Sequence, residues 1–232
     1  MGEMGRAFDG SYAEYVLLPN EQIYPVHTDL DWTTLAAIPE TYYTAFGSLQ
    51  QLRIAPQDRV LVRDAGSGVG VAFAQLLKAQ FPHIVLHGST RNPAKAARLQ
   101  AVGFDGVITE ADGKLQTDQC YDKILELVGP ATLRDSFSHI NEHAIVCNTG
   151  QLGNIWYVNN FDPIIELKNN SYLTAFYSGN VSQAKLDAMF DYIRQFNVKI
   201  LIERVFTLEQ VPEAHRFLQS EAGFGKVVVV NE

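Results

Sequence analysis

Short apolar runs alternate with amphipathic stretches through the middle of the chain. Six of these runs have the length and the Val, Leu and Ile content of buried strands, and polar or helical sequence separates them. The predicted strands are residues 59–63, 84–88, 106–109, 123–127, 144–148 and 172–176. This rhythm predicts an α/β fold, a doubly wound parallel sheet of six strands with helices on both faces.

Two stretches between these strands place apolar residues on one helical face, so that each predicts a helix packed on the sheet. The two faces consist of Val69, Phe73, Leu76 and Leu77, and of Leu186, Met189, Phe190 and Ile193.

The ends of the chain differ from the middle. Residues 11–19 and 225–230 resemble strands outside the alternating rhythm, and residues 209–219 resemble a short helix. We expect these end segments to lie together in a second, mainly β lobe.

Composition narrows the classes of partner. The 232 residues are 47% hydrophobic and 19% charged, with a formal net charge of −8 and no basic patch of the kind that binds nucleic acid. No apolar run approaches the roughly 18 residues that span a bilayer, and the first ten residues lack the features of a secretion signal. A cytoplasmic protein that does not bind nucleic acid is expected. Cys120 and Cys147 have no CxxC spacing, which favours structural free thiols.

A glycine-rich turn follows the first predicted strand and precedes a helix. Small residues there allow a pyrophosphate to approach the amides of the helix N-terminus, which predicts dinucleotide binding by Ser67, Gly68, Val69 and Gly70. The match to GxGxxG is imperfect, because Ala65 and Ser67 occupy the two earlier glycine positions. A tight turn without a ligand is the alternative.

The end of the second predicted strand suggests which dinucleotide binds. An NAD-specific site usually has an acid here for the ribose hydroxyls, whereas residues 88–92 contain none. Ser89, Thr90, Arg91 and Lys95 instead offer hydroxyls and cations that could converge on a 2′-phosphate, which favours NADPH. The alternative is that Arg91 and Lys95 are ordinary solvated residues at the start of a helix.

A series of segments in family order resembles the medium-chain dehydrogenase/reductase superfamily, specifically its zinc-free quinone oxidoreductase branch. They are GSYAEYVLLP, LAAIPETYYTAF, VLVRDAGSGVGVAFAQLLKA, LELVG, NTGQLGN, FDPI, IERVFTLEQVPEAHRFL and GKVVVV, and they span nearly the whole chain. The resemblance implies residues 1–46 as a remnant of a GroES-like catalytic domain, 47–198 as a Rossmann domain that binds NAD(P), and 199–232 as a return to the catalytic domain. Asp64 and Ser67 depart from the pattern, since they stand where the reductases commonly have glycine.

The resemblance also implies a site. Thr44 is expected near the nicotinamide ribose, and Tyr42 and Tyr43 are the phenols that could donate a proton to an enolate oxygen, although an aromatic pair is more often packing. Ligands of such sheets bind at the carboxyl ends of the strands, so Val128, Gly129, Thr149 and Gly150 are expected to line the nicotinamide pocket. Lys226 could reach a cofactor phosphate or the substrate, or be an ordinary surface lysine.

No metal is expected. The zinc-dependent relatives have one ligand at the place of Glu40, and a lone carboxylate without His or Cys partners makes no zinc site. The six histidines show no ligand-like clustering.

These features predict an enzyme that uses NADPH to reduce a quinone, an enone or a related carbonyl compound, and the resemblance implies a homodimer paired through residues 172–176. A zinc-type alcohol dehydrogenase-like enzyme and a non-catalytic nucleotide-binding relative are the alternatives. Because most of the first lobe of such reductases is lacking, we expect this chain to bind the dinucleotide but to turn over little substrate.

Overall fold

The computed structural model describes residues 4–220 and 222–231. Nine strands and eight α-helices make up this part of the chain, with short 3-10 turns between several of them. The strands are β1 Arg59–Val62, β2 Val85–Thr90, β3 Gly106–Ala111, β4 Lys114–Leu115, β5 Tyr121–Glu126, β6 Ile140–Asn148, β7 Tyr172–Ala175, β8 Ile202–Thr207 and β9 Lys226–Val230. The helices are α1 Trp32–Ala37, α2 Thr41–Leu52, α3 Gly68–Gln80, α4 Ala96–Ala101, α5 Leu133–Ser136, α6 Pro163–Glu166, α7 Gln183–Gln195 and α8 Val211–Gln219.

Seven strands form one sheet in the order β4-β3-β2-β1-β5-β6-β7, and only the short β4 runs antiparallel to its neighbour. From β1 the chain proceeds outward through β2 and β3, then returns to the other side of β1 and proceeds through β5, β6 and β7. The strand order therefore reverses between β1 and β5, which is the point where open α/β sheets form a crevice at the carboxyl ends of their strands.

The alternation of side chains along β1 divides the core between the two faces of the sheet. Val60 and Val62 are fully buried in the larger cluster, together with apolar residues of α2, α3 and α7. Leu61 points to the opposite face and joins a smaller cluster that includes Leu133 of α5 and Tyr121 of β5. A strand buried on both faces is continuously apolar, which explains the short apolar runs of the sequence.

The predicted α/β class and all six predicted strands are confirmed. The strand number is not, because Lys114–Leu115 adds a two-residue antiparallel strand to the outer edge of β3. A second difference is the length of β6, which begins at Ile140 and contains an irregularity in its pairing with β5 near His143, a residue with a φ of 61°. The two predicted helical faces pack on the core in α3 and α7 as expected, with Val69 and Leu186 partly buried and the other six residues buried.

The end segments pack together, as predicted. The β8 and β9 strands form a separate parallel pair with α8 beside them, and the Tyr12 hydroxyl lies 3.0 Å from Nε2 of His215 in α8. The expected strand over residues 11–19 is wrong: this stretch is irregular, and the side chain of Leu17 is 94% exposed. A strand needs a neighbour for its backbone hydrogen bonds, and among the described residues no third strand joins β8 and β9.

The predicted boundary between residues 46 and 47 falls within α2, a continuous helix that is buried along most of its length against α3 and the sheet. The division into domains stays a prediction.

Within the described ranges, every helix is too short or too polar to cross a membrane.

Candidate functional site

The glycine-rich turn connects β1 to α3 at the point where the strand order reverses. Ser67 caps α3: its hydroxyl accepts a hydrogen bond from the Gly70 amide at 3.2 Å and donates one to the Asp64 carbonyl at 2.9 Å. A β-carbon on Gly70 would lie 2.7 Å from the carbonyl oxygen of Ala65, so only glycine allows the helix to approach the strand this closely. The N-terminus of α3 is thus held at the crevice, where its amides and dipole favour an anion.

Three segments distant in sequence meet at this N-terminus. A β-carbon on Gly68 would lie 3.3 Å from the carbonyl oxygen of Gly225 and 3.6 Å from Cγ2 of Thr41. Lys226 donates from Nζ to the Thr41 hydroxyl at 2.9 Å, and burial lowers the pKa of this lysine while Glu40 acts in the opposite direction. The structure therefore gives Lys226 a place beside the glycine turn, not on the open surface.

The two candidate proton donors, Tyr42 and Tyr43, form hydrogen bonds within the protein. Tyr42 is 1% exposed and donates to Oε1 of Gln75 in the middle of α3, and burial raises the pKa of its phenol to about 12. Tyr43 donates to the carbonyl of Asn180 at 2.8 Å and packs edge-on against Phe176. Both hydroxyls have partners within the protein, and this geometry argues against the predicted role in proton donation.

Thr44 is different, because its buried hydroxyl oxygen has no hydrogen-bond partner. The residue lies on α2 one turn before Ser48, whose hydroxyl donates to the Thr44 carbonyl at 2.8 Å and contacts the Thr149 hydroxyl at 2.8 Å. The side-chain oxygen of Asn148, at the end of β6, is likewise buried without a partner. Unpaired buried polar atoms are costly and uncommon, so each of these two oxygens is a candidate for contact with a polar ligand.

The backbones of the turns after β5 and β6 lie in close contact. Glu126 accepts hydrogen bonds from the amides of Val128 at 2.9 Å and Gly129 at 3.0 Å. A β-carbon on Gly150 would lie 2.1 Å from the Leu127 carbonyl oxygen, and one on Gly129, whose φ is 90°, would lie 2.6 Å from the Gly150 carbonyl oxygen. The structure thus brings the two predicted turns together and shows that contact between their backbones requires both glycines.

At the end of β2, the predicted phosphate ligands differ in availability. Ser89 is fully buried and donates to Glu110 at 3.0 Å, and Thr90 bonds with the backbone of Asn92. Lys95 donates to the Gly223 carbonyl at 2.7 Å, whereas Arg91 is exposed. Arg91 is consequently the exposed one of the four side chains, and the burial of Ser89 argues against its predicted role.

A buried ionic cluster beneath these turns was missed by the sequence analysis. The guanidinium of Arg63, which is 0% exposed, lies 3.0 Å from Glu110, 2.8 Å from Asp135 and 3.9 Å from Glu126. Burial raises the pKa of Glu126, and Arg63 opposes this effect. The available signal was a charged residue, Arg63, inside the apolar strand predicted over residues 59–63.

The reversed strand order and the glycine turn that opens α3 define a Rossmann-type α/β domain. A family model described as zinc-binding dehydrogenase matches residues 102–229, more than half of the chain. The chain belongs to this family, and its predicted membership of the medium-chain dehydrogenase/reductase superfamily is confirmed.

Individual relatives are distant. The chain is 26% identical over 231 residues to human quinone oxidoreductase, covering 95% of this chain and 69% of the relative. It is 22% identical over 237 residues to the zinc-type alcohol dehydrogenase-like protein C1773.06c of Schizosaccharomyces pombe, covering 97% and 68%. The crystal structure of Bacillus subtilis yhfP with NAD bound has a TM-score of 0.80 at 22% identity, covering 97% of this chain and 71% of that one.

The residues present do not fit the zinc ion that the family's description names. In residues 4–220 and 222–231, the His, Cys, Asp and Glu side chains form no group of three or more that could hold a metal ion. Glu40 immediately precedes α2 and has a φ of 66°. Its charge raises the pKa of Lys226, against the effect of burial. Cys120 and Cys147 are free cysteines, and the thiol of Cys147 is buried next to Thr149.

Proposed function

We propose that the chain binds a nicotinamide dinucleotide across the carboxyl ends of β1, β2 and β5 and serves the reduction of a quinone, an enone or a related carbonyl compound. The observation that carries the proposal is the N-terminus of α3, which a serine cap and two close-packed glycines hold at the reversal of the strand order. Anion-binding amides at this location are what a pyrophosphate requires.

The remaining contacts support one orientation of the dinucleotide. Lys226 would contribute a positive charge beside the pyrophosphate, and the unpaired oxygens of Thr44 and Asn148 would receive polar groups of the nicotinamide end. Arg91 would receive the 2′-phosphate, so NADPH is the proposed cofactor. When bound, the dinucleotide would supply the hydride, while this chain would bind it, orient it and exclude water.

Titration of the protein with NADPH and NADH, followed by nicotinamide fluorescence, tests the proposal. Gly68→Ala is the informative variant. Its methyl group would occupy space that the pyrophosphate needs at the N-terminus of α3, yet it would lie 3.3 Å or more from the nearest protein atoms, so the fold should tolerate it. We expect the wild type to bind NADPH and Gly68→Ala to bind it at least tenfold more weakly. Thermal unfolding of the variant is the control. No binding of either dinucleotide to the folded wild type would contradict the proposal.

One observation favours the alternative of nucleotide binding without turnover: the hydroxyls of Tyr42 and Tyr43 are engaged inside the protein. A panel of quinones and enones with NADPH distinguishes the two functions. Turnover near the typical ~10 per second supports the reductase function. Binding of NADPH without oxidation by any acceptor supports the alternative.

A further inference from the structure

An acidic side chain stands at the adenosine end of the proposed site. Asp64 follows β1 directly and has a φ of 56°, a conformation that few residues other than Gly, Asn and Asp adopt readily. Its amide donates to the Ser89 hydroxyl at 3.3 Å, and the amide of Ala65 donates to the Ser89 carbonyl at 3.0 Å. These bonds fix Asp64 beside the last residues of β2, where the ribose of a bound dinucleotide is recognised.

The charges around Asp64 are those that were predicted to receive a 2′-phosphate. Burial raises the pKa of the Asp64 carboxyl and Glu110 adds to this effect, whereas Arg91 and Lys95 lower it. The side chain of Lys95 also lies over the turn, with Cδ 3.6 Å from the position of a β-carbon on Gly66. Asp64 thus lies beside the end of β2, and its carboxyl interacts electrostatically with both cations of the predicted phosphate site.

Two anions would then share these cations in the complex with NADPH. A phosphate monoester carries about −1.5 to −2 charges at pH 7, and like charges near one another disfavour the complex that holds both. The unphosphorylated ribose of NADH brings no such charge, so Asp64 opposes only the phosphorylated cofactor. This difference concerns selectivity between the two dinucleotides, not binding of the pyrophosphate that they share.

We propose that Asp64 is a specificity-determining residue, which limits the affinity of this chain for dinucleotides with a 2′-phosphate. The inference rests on the proposed function, because it concerns the adenosine end of the same site. It predicts that Arg91 provides the preference for NADPH and that Asp64 restrains it. Removal of the Asp64 charge should therefore widen the gap between NADPH and NADH.

The test compares wild type with Asp64→Asn and Asp64→Gly, two residues that tolerate the positive φ and remove the charge. Dissociation constants are measured for NADPH and NADH, and for the fragments adenosine 2′,5′-bisphosphate and 5′-AMP. We expect both variants to bind NADPH and the bisphosphate on the order of tenfold more tightly and the unphosphorylated ligands within about twofold of wild type. Asp118→Asn, an exposed site before β5, is the control for the equal change in net charge.

An unchanged ratio of the two constants would overturn the inference, as would equal tightening of all four ligands, which would indicate a general effect on the pyrophosphate or 5′-phosphate. Neither outcome affects the proposed function. Absence of binding by all four ligands to folded wild type and variants would instead contradict the proposed function, and the inference with it.

Discussion

Replacement of Arg63 by Met should be among the most destabilising single changes in the chain. The substitution keeps the approximate length of the side chain but leaves Glu110 and Glu126 buried without their cation, and it removes donors to the carbonyls of Thr132 and Gly113. Loss of one partner from a buried ionic pair typically costs about 3–5 kcal/mol. Since domains are stable by about 5–15 kcal/mol, the variant should unfold at a much lower urea concentration.

The pH dependence of this loss has a definite sign. Burial raises the pKa of Glu126 in the folded chain, and removal of Arg63 takes away a charge that opposes the rise. An acid whose pKa is higher in the folded than in the unfolded state binds protons preferentially in the folded state, so stability falls as pH increases through that interval. The difference between wild type and Arg63→Met should consequently be larger at pH 8 than at pH 5.5.

Urea unfolding followed by circular dichroism at both pH values measures these effects. Arg59→Met is the matched control: it lies on the same strand, but its guanidinium is near the surface with Gln119 as partner, so a change within about 0.5 kcal/mol is expected. The double variant Arg63→Met with Glu110→Gln should recover part of the loss. A loss below about 1 kcal/mol for Arg63→Met, or a loss that increases toward low pH, would refute the reasoning.

Three further outcomes are expected. Arg91→Ala should weaken NADPH binding about tenfold and leave NADH nearly unchanged in calorimetry; equal losses would contradict the assigned role. Tyr42→Phe should lower the unfolding free energy by about 1–3 kcal/mol, because Gln75 loses the phenol donor and the Leu201 amide loses one of its two acceptors, without any effect on NADPH binding; selective loss of turnover would restore the catalytic hypothesis. Light scattering at micromolar concentration should show a dimer, since Tyr172 and Leu173 are exposed on the edge strand β7; a monomeric mass would exclude pairing there.

The sequence was sufficient for the strands because their signal is local. In β1, the residues RVLV carry the pattern of a strand that is buried on both faces, and the same argument locates α3 through its buried apolar face. The error over residues 11–19 has the opposite cause: the stretch resembled a strand by its own residues, but a strand exists only where another offers hydrogen bonds.

The chemistry of the site was harder to predict because its contacts join distant parts of the chain. Arg63 and Glu110 are 47 residues apart, and Lys226 and Thr41 are 185 residues apart, so no spacing rule links them. The hydroxyls of Ser89 and Tyr42 were predicted to face a ligand, yet each has a hydrogen-bond partner supplied by another strand or helix. Residue type indicates which chemistry is available, whereas only the packing decides which groups are already engaged.

The Arg63 cluster also connects the two ends of the proposed site. Through Glu110, which accepts from Ser89, the guanidinium is linked to the end of β2 and hence to the surroundings of the adenosine. Through Glu126, which accepts from the amides of Val128 and Gly129, it is linked to the turn expected at the nicotinamide. Because one buried cation stabilises both carboxylates, the shape of the two subsites depends on the same network. Under the proposed function, selectivity at the adenosine end and geometry at the nicotinamide end would therefore not be independent of each other.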